Sequence, residues 1–87
     1  MTRADRLLRR LRLTTRGWTF EDLRRLAESA GIEVLPGRGD HWKFRAPGRP
    51  PLVIDPGPGH HEVLPVYVAR FRRLLEELLD ETDADER

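Results

Sequence analysis

Three short runs of β-branched, aliphatic and aromatic residues follow one another between residues 32 and 54, and no crossover helix fits in the spacers between them. The runs are Ile32–Leu35, His41–Arg45 and Leu52–Ile54. Pro36-Gly37 closes the first, and the Pro/Gly-rich turn Ala46–Pro51 separates the second from the third. Strands joined this closely pair antiparallel, because a parallel return needs a dozen or more residues. So small a sheet is stable only when one face is buried against something else. The alternation in the second run says which face: Trp42 and Phe44 point one way, and His41, Lys43 and Arg45 the other.

The flanks supply the cover. Phe20, Leu23, Leu26, Ala27 and Ala30 recur at helical spacing, with Thr19 and Asp22 as a variant capping box and Gly31 where a helix C-terminal glycine belongs. After the loop Asp55–Pro65, which holds Pro56-Gly57-Pro58-Gly59-His60-His61, a second amphipathic stretch runs from about Val66 to Leu79, with Val68, Phe71, Leu74, Leu75 and Leu78 on its apolar face. A further helix is predicted over residues 2–13 from Ala4, Leu7, Leu8 and Leu11. Thr2 and Asp5 mark its start, and a break follows at Thr14–Gly17. The expected fold is therefore α+β: two layers, with a three-stranded antiparallel sheet packed by helices. Trp18 is placed to staple the second helix against Leu23, in preference to stacking on a base. The acidic stretch after Asp80 is expected to fray.

At 87 residues the chain suits one domain with a small core. It has no cysteine, which rules out disulfides and thiolate metal sites. It has no apolar run near the roughly 20 residues of a membrane helix and no apolar leader segment, so a soluble cytoplasmic protein with no membrane partner is expected. Net charge is +1, but residues 1–18 hold six arginines against one acid, and residues 76–87 hold seven acids against one arginine. Such asymmetry suits an anionic partner at the basic end, although 15 of the 16 basic residues are arginine, a bias that genome composition alone produces.

His41, Lys43 and Arg45 would project from one sheet face about 7 Å apart, one proton-transfer group beside two cations. Histidine titrates near pH 6.5 and serves as base or acid at neutrality, and fixed cations stabilise charge developing on a phosphate. The plain alternative for all three is a solvated strand face. Arg38 and Gly39, with Gly37, could offer a cradle of backbone amides to a phosphate, or form only a hairpin turn. Arg9 and Arg12 on the first helix are further RNA-contact candidates. Asp40 brings negative charge beside His41. Adjacent His60 and His61 point apart on an extended chain, so no metal site and no cofactor are expected. They read as an exposed loop pair, with a second acid–base group as the alternative.

From Phe20 to Leu79 the chain resembles the HicA family of toxins. Leu23–Val34 is similar to the family's opening helix, glycine and strand start. Gly39-Asp40-His41-Trp42-Lys43-Phe44 is similar to its Gly-Ser-His-His motif followed by an aromatic. A strand entering a Pro/His loop, then Glu62-Val63-Leu64-Pro65 and an amphipathic helix, resembles its ending. The resemblance implies a double-stranded-RNA-binding-domain-like α-β-β-β-α fold and a metal-independent endoribonuclease acting on mRNA. It also implies His41 as the catalytic histidine and a HicB-like antitoxin as partner. Asp40 stands in place of the usual serine, Trp42 in place of the second histidine, and Val66-Tyr67 in place of a Gly-Thr helix start; the first helix is additional. The implied division is a basic helical extension over residues 1–18, the α-β-β-β-α domain over 19–80 and an acidic tail over 81–87. Two other readings fit the same fold: a non-catalytic RNA-binding module, and a protein-interaction domain whose arginine-rich helix docks an acidic partner.

Overall fold

A computed structural model describes residues 3–56 and 62–85, with side chains over 5–56 and 62–79. Its elements are α1 (Arg3–Leu13), α2 (Phe20–Ser29), β1 (Glu33–Pro36), β2 (Trp42–Arg45), β3 (Leu52–Ile54) and α3 (Pro65–Asp85). The strands form one antiparallel sheet in the order β1-β2-β3. Val34 lies opposite Phe44, and Phe44 opposite Leu52. This is the α+β fold that short spacers and flanking amphipathic stretches require.

Both ends of α2 follow the local chemistry. The Thr19 hydroxyl accepts the Asp22 amide at 3.1 Å. At the other end Gly31 takes φ +81, Ile32 N–H donates to Ala27 O at 2.9 Å and Gly31 N–H to Glu28 O at 3.1 Å. That is the Schellman arrangement. It also explains a shift in the first strand, expected at Ile32–Leu35 and found at Glu33–Pro36. The Ile32 amide is used to close the helix, and its side chain is buried beneath the turn. The last helix outruns its expected end at Leu79 and stays helical to Asp85. Pro65 suits its first turn, and no glycine or proline interrupts the stretch that follows, so acidity alone does not break it. The Thr2 cap and the His60-His61 pair lie outside the described residues.

The core is assembled around Phe44. Its ring meets Phe20 of α2 at 6.0 Å and Phe71 of α3 at 5.5 Å, both edge-on. Trp42 adds a tilted contact to Phe20 at 5.1 Å. Phe44 and Ile54 are fully buried, whereas Lys43, Arg45 and Val53 are exposed, so helices cover one sheet face and leave the other open. The first helix belongs to this same core: Leu11 and Trp18 have no exposed surface. Arg10 stacks over the Trp18 ring at 4.3 Å, pairs with Asp22 at 3.5 Å and donates to Gly17 O. Gly17 N–H donates to Glu62 at 2.7 Å, and Val63 N–H to Trp18 O at 2.8 Å. Leu11 and Trp18 thus pack into the same core as the elements that follow them. Trp18 is a packing residue, its indole N–H held by Thr14 O at 3.0 Å.

Candidate nucleic-acid interface

The β1–β2 hairpin positions the candidate histidine. Gly37 N–H donates to His41 O at 2.8 Å, and His41 N–H donates to Arg38 O at 3.1 Å. Gly39 sits in that turn at φ +58, a left-handed conformation that suits glycine. A Cβ at Gly37 would lie 3.1 Å from His41 O and 3.5 Å from the Lys43 side chain, so this glycine lets Lys43 lie close across the hairpin neck. With its amide used in the turn, His41 comes just before β2 instead of opening it. Its backbone is fixed while its imidazole is exposed and has no hydrogen-bond or ion-pair partner among the described residues.

Around it the candidates separate. Arg38 and Gly39 share the exposed hairpin with His41, and Lys43 follows on the open sheet face between Leu35 and Val53. Arg45 is already engaged, because its cross-strand partner Glu33 holds it at 3.0 Å. Arg9 and Arg12 are exposed on α1, which packs against α2 in the helical layer, so they do not join the hairpin surface. Half-buried Asp55 follows the end of β3, and exposed Asp40 precedes His41 in sequence. Among the described residues no three His, Asp or Glu side chains gather as a metal site.

At the other end of the sheet an open groove runs between the end of α2, β1 and the β2–β3 turn, with Ile32, Val34, Trp42 and Ala46 among its apolar lining. Its arginines are all paired: Arg24 with Glu21 and Glu28, Arg45 with Glu33, and Arg49 with Glu77. Little uncompensated charge is left there for an anion.

Sequence reasoning passed over two groups. Arg10 is a structural cation holding Trp18, and only the tertiary fold brings the two together. Arg70, Arg72 and Arg73 on α3 have no carboxylate partner among the described residues. The helical period of Val68, Phe71 and Leu75 already leaves them off the buried face. Among the described residues no helix is long and apolar enough to cross a membrane. No known protein family, characterised protein or solved structure matches the chain.

Proposed function

We propose that the chain is a HicA-like toxin of a type II toxin–antitoxin pair, a metal-independent mRNA endoribonuclease with His41 as its proton-transfer group. The observation that carries this reading is the unpartnered, exposed imidazole on a backbone locked by the hairpin, with Lys43 beside it on the uncovered sheet face. The reaction needs the RNA's own 2′-hydroxyl to attack the neighbouring phosphorus. The 2′-O–P bond forms, the P–O5′ bond breaks, the hydroxyl proton passes to His41, and the leaving 5′-oxygen takes a proton from solvent. Lys43 and Arg38 supply positive charge for the crowded phosphate, a contribution that grows as water is excluded.

In this reading a HicB-like antitoxin silences the toxin by covering the hairpin. Carboxylates on the antitoxin would speed and orient the encounter, while apolar anchors hold the complex. A second reading, RNA binding without cleavage, is favoured by the lone imidazole among the described residues. His41→Ala separates the two: RNA cleavage and growth inhibition are expected to vanish at unchanged circular dichroism and RNA affinity. Equal cleavage by both chains would remove His41 from the mechanism.

A further inference from the structure

The cations of this chain divide sharply by whether a carboxylate already holds them. Arg10, Arg24, Arg25, Arg45 and Arg49 each have one within 4 Å. Arg70, Arg72 and Arg73 of α3 have none among the described residues, as is also true of Arg6, Arg9, Arg12, Arg16, Arg38 and Lys43, but only on α3 do three such arginines fall within four residues. Arg70 and Arg73 are exposed, and Arg70 also lies 5.7 Å over the Tyr67 ring, an arrangement that leaves its charge uncompensated. Two adjoining hollows share these two arginines. One follows Val66, Ala69 and Arg72 along the helix. The other opens towards Leu52 and the prolines of the β2–β3 turn. These are shallow gaps between side chains that gather Arg70, Arg72 and Arg73, with Glu76 at the edge of one and Glu77, held by Arg49, at the edge of the other.

Their place follows from the topology. The Arg49–Glu77 pair, at 2.5 Å, ties the later turns of α3 to the β2–β3 turn, where β3 begins. Arg70 and Arg73, which share a hollow with Pro50, Pro51 and Leu52, lie beside the start of β3 and not beside the β1–β2 hairpin. Arg70 and Arg73 are three apart on a helix, so their Cβ atoms are about 5–6 Å apart, comparable with the step between neighbouring phosphates. Guanidinium groups bind phosphate oxygens in a forked geometry.

We infer that the Arg70–Arg73 face of α3 is a binding site for the phosphate backbone of single-stranded RNA. RNA as the ligand rests on the proposed function. The site itself rests on three neighbouring arginines that no carboxylate holds among the described residues.

The test uses the full chain carrying His41→Ala, so that cleavage does not interfere, and a fluorescently labelled single-stranded RNA of mixed sequence. Binding is followed by anisotropy through a salt series. Adding Arg70→Ala and Arg73→Ala is expected to weaken binding about tenfold or more at low salt. It should also flatten the log–log salt dependence by about 0.7 for each phosphate that is no longer neutralised. Arg25→Ala, an exposed arginine already paired with Glu21, should change neither. All sites are on helix surfaces where alanine is well tolerated, and circular dichroism checks folding.

Unchanged affinity and slope in the Arg70/Arg73 variant would overturn the inference even if wild-type chain cleaves RNA. Loss of binding by that variant, with a wild-type chain that never cleaves, would uphold it and remove the catalytic reading instead. If the His41→Ala chain binds no RNA at all, both fail. Unchanged RNA binding with weakened affinity for an antitoxin would make the face a protein interface and overturn the assignment to RNA.

Discussion

His41 and Trp42 are neighbours in sequence and opposites in environment. The hairpin leaves the imidazole exposed while Trp42, the first residue of β2, turns its indole towards Phe20, so substitutions at the two positions should separate cleanly. His41→Ala is expected to shift stability by less than about 0.5 kcal/mol, since the imidazole is exposed to solvent. Phe44→Ala should cost about 3–5 kcal/mol, because one ring joins the sheet to both α2 and α3. Against a total of about 5–15 kcal/mol, that is enough to leave part of the population unfolded, as a urea titration would show. Gly31→Ala probes backbone alone: nothing lies within 4 Å of the new Cβ, but φ is +81. The expected cost is about 1 kcal/mol, seen as a fall in Tm of about 4–8 °C. An unchanged Tm would mean that the chain re-forms the α2 terminus without a left-handed residue.

At the scale of elements, α1 is the informative case. Its arginines suggest a solvated basic extension, yet Leu11 is fully buried and Arg10 is engaged by Trp18, Gly17 and Asp22. Leu11→Ala is expected to destabilise the whole domain by about 2–5 kcal/mol in a single cooperative transition. A separate early transition, or no effect, would show that α1 folds independently of the rest. Charge reversal at Arg9 and Arg12 belongs to the other side of the helix. Both residues are exposed and unpaired among the described residues, so thermal stability should hold within about 0.5 kcal/mol. RNA affinity should fall if α1 contributes to long-range attraction, and unchanged binding would reserve α1 for the core alone. In α3 the apolar stripe was legible from its period. The helical extension to Asp85 was not, because a run of acids reads as an unstable terminus even when its residues are adequate helix formers.

Across the whole molecule, charge is partitioned in a way that net charge conceals. A value of +1 arises from arginines that are mostly exposed or paired on the folded body and from acids gathered near the end of α3. Residues 80–87 hold five acids and one arginine, and removing them should raise RNA affinity by lifting repulsion. The effect should shrink as salt shortens the reach of the field. If an antitoxin occludes the hairpin, hydrogen exchange at residues 39–45 should slow only in the complex. Protection in the isolated chain that disappears with residues 80–87 would instead mean that the tail folds back over the site.

Local chemistry in the sequence was sufficient for much of this protein. Alternation at Trp42–Arg45, the spacing of Leu23, Leu26 and Ala27, the Thr19 cap and Gly31 each act over a few residues, and the fold agrees with them. Short spacers settled the antiparallel order for the same reason. What only the tertiary structure decided is which arginines are free. Arg10, Arg45 and Arg49 look in sequence like Arg38, Arg70 and Arg73, but carboxylates distant in the chain, or on the facing strand, neutralise the first three. An ion pair depends on separations of a few ångströms between side chains that sequence distance does not constrain, whereas a helix period or a strand pleat repeats within the segment that encodes it.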